Sequence, residues 1–237
     1  MELVLLITIV NYCYKSPDRE GGQTVGRIPF ITVEGPIGVG KTSLAKAISE
    51  HFQYTLLKEI VDENPFLGKF YDNIEEWSFQ TEMFFLCNRY KQLGDINKHY
   101  ISKNQPVVAD YHIFKNLIFA QRTLSQQEYA KYLNIYDVLT QDMPTPNVII
   151  YLNANLDTLL KRIEQRGRVV EKNISSLYLK QLSLDYEEAM ANFEIQFPDV
   201  PVLRFSGDEL DFVNREPDLQ FIINQLSASL TKRSIHP

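Results

Sequence analysis

Cysteine is scarce in this chain. Cys13 and Cys87 are the two it has, too few for a disulfide framework, and their rarity fits a reducing cytoplasm. Histidine is thin as well: His51, His99, His112 and His236 stand far apart with no Cys/His cluster, which argues against a structural zinc site. Long runs of positive charge are missing. The formal net charge is −6 and the pI is near 5.3, so the basic stripe of a nucleic-acid binder is not expected. Long apolar runs are missing too. Leu3 to Val10, a run of eight, falls far short of the ~20 residues that span a membrane. A signal peptide needs a basic start and a small-residue cleavage site, whereas Glu2 opens the chain and Asn11-Tyr12-Cys13-Tyr14 follows the run. There is no internal repeat and no low-complexity segment. Small phosphorylated ligands stay open, because they need only a few local cations and oriented amides.

What is present is an ordinary globular composition, 44% apolar and 23% charged, in a length that suits one α/β domain. Residues 1–26 read as an extension outside the fold, with a polar, Gly-rich linker from Ser16 to Gly26; an added edge strand is the rival reading. The domain is expected over 27–230 and a tail over 231–237. Apolar runs at Ile28–Glu34, Val107–Ala109 and Val148–Leu152 predict buried parallel strands, with weaker candidates at Tyr54–Leu57 and Val202–Phe205. Helical spacing predicts helices at Lys41–Phe52 and over 76–103, 125–142, 156–166, 175–196 and 216–230. Strands alternating with helices imply a parallel sheet covered on both faces. Ligands of such sheets bind beyond the carboxyl ends of the strands. Glu34 to Thr42, Glu59, Asp110 and the segment after Leu152 all fall there.

Gly35-Pro36-Ile37-Gly38-Val39-Gly40-Lys41-Thr42 fits the pattern G-x-x-x-x-G-K-[ST]. Its glycines let backbone N–H groups turn inward around a β-phosphate, at a helix N-terminus whose partial positive charge favours an anion. In such loops the Lys reaches the β- and γ-phosphates and the Thr hydroxyl ligates Mg²⁺. The pattern also arises as a plain Gly-rich turn. Its place between a predicted strand and a predicted helix favours the phosphate cradle.

The residues around this loop resemble the deoxynucleoside kinase family, and within it the deoxyguanosine kinase subgroup of Gram-positive bacteria. The likeness runs from Phe30 to Leu226. It is carried by Phe30-Ile-Thr-Val-Glu-Gly-Pro-Ile-Gly38, Glu59-Ile-Val-Asp-Glu-Asn-Pro-Phe-Leu67, Phe70-Tyr-Asp-Asn73, Trp77-Ser-Phe-Gln80 and Ala109-Asp-Tyr-His112. The resemblance implies an α/β P-loop kinase fold, a five-stranded parallel sheet flanked by helices with an Arg-rich lid, usually as a homodimer. It implies ATP as donor with Mg²⁺, and as acceptor the 5′-hydroxyl of a purine deoxynucleoside, deoxyguanosine first.

By that resemblance Glu59 is the general base for the 5′-hydroxyl. The chemistry agrees, since a neutral sugar hydroxyl is a weak nucleophile that benefits from a positioned carboxylate; the plain alternative is a solvated charge beside Lys58. Gln80 reads the base edge, with Phe79 lining the pocket and Phe84 on the same helical face as Gln80; the plain alternative is a core aromatic stripe. Tyr71 and Glu171 bond the deoxyribose 3′-hydroxyl, although the interval from Tyr71 to Gln80 is shorter than the family's. Asp110 ends its strand where P-loop kinases place an acid near Mg²⁺ and substrate, with Thr42 as the other ligand. The family's acid-Arg-Ser at this point reads Asp110-Tyr111-His112 here, so the Arg beside the reacting hydroxyl is missing. Asn116 falls where relatives have a base-contacting carboxylate, and Cys87 where some place an Arg. Arg166 and Arg168 are lid guanidiniums over the transferring phosphoryl, with Arg162 on the ATP side; a basic helix end is the plain alternative. Asp208, Asp211 and Phe212 belong to a loop resembling the one that encloses adenine.

Three other readings compete. A thymidylate-type nucleotide kinase shares the P-loop and the lid, but carries an Arg for the substrate phosphate where this chain has Ile60-Val61-Asp62-Glu63. A GTPase needs Asn-Lys-x-Asp; Asn97-Lys98-His99-Tyr100 lacks the Asp and lies in a predicted helix. A regulatory module without catalysis has no use for Glu59, Asp110 and the lid arginines together. Deoxyadenosine and deoxycytidine stay open as acceptors, because Gln80 serves guanine or adenine by flipping its amide.

Overall fold

Five short strands, β1 (Phe30–Glu34), β2 (Thr55–Leu57), β3 (Val107–Ala109), β4 (Val148–Asn153) and β5 (Val202–Ser206), pair in parallel in the order β2-β3-β1-β4-β5. The structure is a computed structural model that describes residues 28–61 and 63–235; the expected extension at 1–26 lies outside the described residues. The helices are α1 (Lys41–Phe52), α2 (Leu67–Asp72), α3 (Ile74–His99), α4 (Lys115–Thr123), α5 (Gln126–Thr140), α6 (Leu156–Arg166), α7 (Ser176–Gln196) and α8 (Glu216–Ile235). This is the expected parallel α/β architecture.

Successive side chains leave a strand on opposite faces, and here both faces are covered. Ile31, Val33, Val108, Ile150 and Leu152 point into a core shared with Leu44 and Ile48 of α1, Leu159 and Ile163 of α6, and Ile222 and Leu226 of α8. Phe30, Val107 and Ala109 face Leu86 and Leu93 of α3 and Tyr132 and Tyr136 of α5. Ile149 and Tyr151 face Ile118 of α4 and Leu182, Tyr186 and Met190 of α7. Both faces therefore call for mainly apolar side chains, with Thr32 and Glu34 of β1 as buried polar exceptions, which is why the strands read as near-continuous apolar runs.

The helix ends have local causes. Asn73 caps α3, its side chain accepting from the Glu76 N–H at 3.3 Å, and Glu75 and Glu76 suit the positive helix start. Ser125 and Glu128 form a capping box at the start of α5. Asn155 caps α6, and Gly167 ends it at φ 65, a left-handed turn natural to glycine. Two boundaries and two whole helices differ from the sequence expectation. The helix expected over 76–103 stops at His99, and a 3₁₀ turn at Ile101–Lys103 follows. Helix α2 and helix α4 form in stretches where periodicity predicts no helix; α4 is held by burial of Leu117, Ile118 and Ala120. Helix α8 continues to Ile235, past the expected domain end at 230.

β1 stands between β3 and β4, so the chain departs from its carboxyl end with neighbours leading off in both directions. That is the crevice where such sheets bind ligands. Gly35 makes the turn possible: its φ is 145°, and a Cβ there would sit 2.1 Å from the Leu152 carbonyl oxygen of β4. Gly35→Ala is therefore expected to strain the turn and lower Tm by at least about 4 °C, since backbone strain costs ~1–3 kcal/mol. Thermal unfolding followed by circular dichroism checks this; an unchanged Tm would mean that β4 yields to the methyl.

Candidate active site

A cavity of about 1080 Å³ opens over the carboxyl ends of the strands. Its floor is the P-loop. Lys41 Nζ donates to the carbonyls of Gly35 at 2.7 Å and Pro36 at 2.9 Å. Burial and the nearby Lys115 bring the Lys41 ammonium down to about 8, against the pull of Glu34, Glu59 and Asp110. Thr42 Oγ1 donates to Asp110 Oδ2 at 2.7 Å, and Asp110 Oδ1 accepts from the Glu59 N–H at 2.6 Å. Asp110 at the end of β3 thus ties the start of α1 to the segment after β2. Behind the loop, buried Glu34 accepts from the backbone N–H of His112 and, at 3.2 Å, of Gly35.

Glu59 is the electrostatic centre. Its side chain is 10% exposed and lies between two buried cations, Arg89 of α3 and Lys115 of α4. Lys115 Nζ is 2.9 Å from both carboxylate oxygens; Arg89 donates from Nε at 3.0 Å and also from Nη2. Burial alone would raise the carboxyl, but Lys115 and Arg89 outweigh it and hold Glu59 well below the usual carboxylate range.

The lid arginines meet the sugar-side pair. Arg166 donates to Glu171 Oε2 from Nε at 3.1 Å and Nη2 at 2.5 Å, and Arg168 Nη1 stands 3.4 Å from Oε1. Glu171 is buried, while the arginine side chains are about one-third exposed. Tyr71 lines the same wall, its phenol pushed up by burial and by Glu171. At the other end Arg162 bridges the Val39 carbonyl at 3.0 Å and the Gly207 carbonyl at 2.8 Å, strapping the P-loop to the loop after β5. In that loop Asp208 accepts from the Asn155 N–H at 2.8 Å, Asp211 accepts from the Asn214 N–H at 3.1 Å, and buried Phe212 backs Gly40.

On α3 the geometry corrects the expectation. The buried face carries Ser78, Thr81, Glu82, Phe85, Arg89 and Leu93. Gln80 is exposed, and neither it nor Phe79 nor Phe84 lines the cavity. Two residues along a helix turn by about 200°, so Gln80 and Glu82 cannot share a face. Glu82 and Arg89 occupy the face expected for positions 80 and 87, a shift of two residues, which also absorbs the short interval after Tyr71. Asn116 is a second correction: it is fully buried and does not line the cavity. Its Oδ1 accepts from Arg89 Nη1 at 2.7 Å and its Nδ2 donates to the Tyr132 hydroxyl at 2.8 Å, so it orients Arg89 from behind.

The family model described as deoxynucleoside kinase matches residues 31–231. The chain belongs to the deoxynucleoside kinase family. It is 56% identical over 194 residues to a deoxyguanosine kinase of Bacillus subtilis (strain 168), covering 82% of this chain and 94% of that protein. It is 33% identical over 203 residues to a deoxyadenosine/deoxycytidine kinase of the same organism, covering 84% of this chain and 92% of the relative. Among solved structures it is similar to deoxyadenosine kinase from M. mycoides with the products dCMP and a flexible dCDP bound, at TM-score 0.71 and 25% identity over 84% of this chain and 98% of that one. The same enzyme with dATP bound matches at TM-score 0.70.

In this kinase the missing Arg of the acid-Arg-Ser motif is answered by Lys115, which brings a cation to Glu59 from the start of α4. No local sequence pattern marks that helix or singles out Lys115. Tyr111 and His112 stay out of the cavity. The Tyr111 hydroxyl donates to Gln92 Oε1 at 3.1 Å, and burial brings His112 down to about 3, so its ring is neutral. Arg89 has a signal, the Arg expected two residues earlier.

Proposed function

We propose that this kinase transfers the γ-phosphoryl group of ATP to the 5′-hydroxyl of deoxyguanosine, giving dGMP. The observation that carries the reading is the place of Glu59, joined through Asp110 to the P-loop and through Arg89 to the wall of the cavity. A carboxylate is useful there only to a neutral acceptor whose proton must leave. The choice of deoxyguanosine is supported by the identity to the Bacillus subtilis enzyme.

The P-loop amides and Lys41 bind the β- and γ-phosphates. Thr42 Oγ1 and the Asp110 carboxylate, 2.7 Å apart, make the hydroxyl-and-carboxylate pair that suits Mg²⁺ when phosphates and water complete its shell. Held by these two residues, Mg²⁺ would supply positive charge against the phosphates of the donor. Tyr71 and Glu171 hold the 3′-hydroxyl and so aim the 5′-hydroxyl. Glu59 receives its proton while Lys115 and Arg89 fix the carboxylate. Arg166 and Arg168 turn from Glu171 toward the transferring group, whose charge spreads over its equatorial oxygens. The working form is a homodimer in the cytoplasm, a reading supported by the resemblance and by the scarcity of cysteine.

A panel of the four deoxynucleosides and their ribose counterparts, with ATP as donor, tests the reading. The expected kcat/KM for deoxyguanosine is at least about tenfold above that for deoxyadenosine, ~1.4 kcal/mol in transition-state binding. Deoxyadenosine or deoxycytidine serving equally well would overturn the guanine assignment.

A further inference from the structure

The cavity wall holds a titratable carboxyl that phosphoryl transfer does not use. Glu82 is 1% exposed and lines the cavity among Val61, Leu67, Phe85 and Phe119. Its Oε2 has no hydrogen-bond partner among the described residues. The nearby cations do not satisfy it, because Arg89 is committed to Glu59 and Asn116 and Lys115 to Glu59. A buried carboxylate left this way is costly unless a ligand brings donors to it.

A carboxylate offers two acceptors side by side. Its complement on a flat ring is two adjacent N–H donors on one edge. Guanine has that edge, in N1–H and N2–H. Adenine presents N1 as an acceptor beside a C2–H, cytosine an acceptor beside a donor, and thymine a single N–H between carbonyls. We propose that Glu82 is the residue that selects guanine, its carboxylate accepting N1–H and N2–H in a paired contact within an apolar slot. The proposal rests on the reading above, that a deoxynucleoside base enters this cavity.

The same residue makes the preference depend on pH. Burial pushes the Glu82 carboxyl up to about 8, against Arg89, Lys115 and the Thr123 hydroxyl, with Glu59 adding to the rise. The phenols coupled to it, Tyr71, Tyr132 and Tyr178, are each raised by burial and stay neutral. Protonated, as it mainly is at neutral pH before a base binds, Glu82 is one donor beside one acceptor, which suits adenine; the two N–H donors of guanine draw it into the ionised form, and the proton released on binding makes that step easier as pH rises. The guanine-to-adenine ratio therefore rises with pH. Lys41, which titrates in the same range, acts on the phosphates and cancels from the ratio.

The test measures kcat/KM for deoxyguanosine, deoxyinosine and deoxyadenosine on the full chain and on Glu82→Gln, from about pH 6.5 to 8, below the range in which the N1–H of guanine and hypoxanthine itself ionises. The wild type is expected to favour deoxyguanosine over deoxyinosine, which lacks N2–H, by at least about tenfold. Its deoxyguanosine-to-deoxyadenosine ratio is expected to climb about tenfold across the range. In Glu82→Gln that ratio should fall at least about 100-fold, the deoxyinosine discrimination should vanish, and the pH slope should flatten. A wild type that prefers deoxyguanosine while Glu82→Gln keeps the ratio within about threefold overturns the role of Glu82 and leaves the deoxyguanosine reading standing. A wild type without that preference overturns both. Should Glu82→Gln fail to fold, the wild-type deoxyinosine comparison and pH slope decide: equal use of deoxyinosine with a flat slope overturns the proposal.

Discussion

Glu59→Gln is expected to lower kcat by roughly 10²–10⁴-fold with little change in KM, the usual worth of a general base. The amide keeps the shape and the acceptor oxygen but takes no proton. The effect should fall toward the lower end of that range, because Lys115 and Arg89 hold the Glu59 carboxyl well below the usual carboxylate range, and a weak base takes a proton only late in the transfer. The loose transition state of phosphoryl transfer suits such a base. Removing the charge also leaves Arg89 and Lys115, both buried, without their counter-ion, a loss on the order of 3–5 kcal/mol when one partner of a buried pair goes. Glu59→Asp separates the two effects: it keeps the charge and most of the stability, but withdraws the carboxylate from the hydroxyl. The sign of the pH effect follows from the depressed folded pKa. Glu59 contributes stability that is present above its unfolded value, near 4.3, and is lost as pH falls toward the lower folded value. Acid unfolding of Glu59→Gln should therefore be less steep than that of the wild type. Retention of more than about a third of wild-type kcat would remove Glu59 from the base role.

Lys41→Ala is expected to reduce kcat by about 10³-fold or more, as for groups that meet the transferring phosphoryl, and to leave Tm at pH 7 unchanged or higher. The ammonium is held at about 8, down from its ordinary value, chiefly by burial. A lysine depressed on folding costs stability while it is charged, below that value; the cost fades as pH rises toward the unfolded pKa. Replacing it removes the cost, and the freed Gly35 and Pro36 carbonyls meet water. Polyphosphate restores the proton, so ATP binding near pH 8–9 should take up protons in calorimetry across buffers of different ionisation enthalpy, and Lys41→Ala should abolish that uptake. A large fall in Tm together with activity would mean that Lys41 is mainly a structural strap.

Contiguous features are legible in the amino-acid sequence. The P-loop is eight residues long and its function depends on backbone turns that glycine spacing dictates, so its placement between β1 and α1 is readable directly. The same holds for Asp110 at a strand end and for the arginines around Gly167, whose helix C-cap is a local event. Helix α4 is not legible, because its residues 115–123 carry no stop or cap signal and fold through burial against α3 and α7. Lys115 is hidden with it. Its partner Glu59 is 56 residues away in sequence, and no spacing rule connects them.

The two-residue shift on α3 has a different cause. Phe79, Phe84 and Phe85 place rings around much of that helix, so apolar periodicity does not say which face turns inward. Family spacing then points to Gln80, a residue chemically suited to the role but exposed. By itself the sequence determined the parallel sheet, the phosphate cradle and the acids Glu59 and Asp110 beyond the ends of β2 and β3, since these follow from strand alternation and short-range backbone geometry. Only the tertiary structure decided that Lys115 and Arg89 flank Glu59, that Asn116 lies behind Arg89, and that Glu82 rather than Gln80 faces the cavity. Those facts depend on how helices rotate and dock against one another, which is set by burial of whole faces and not by any residue's neighbours in the chain.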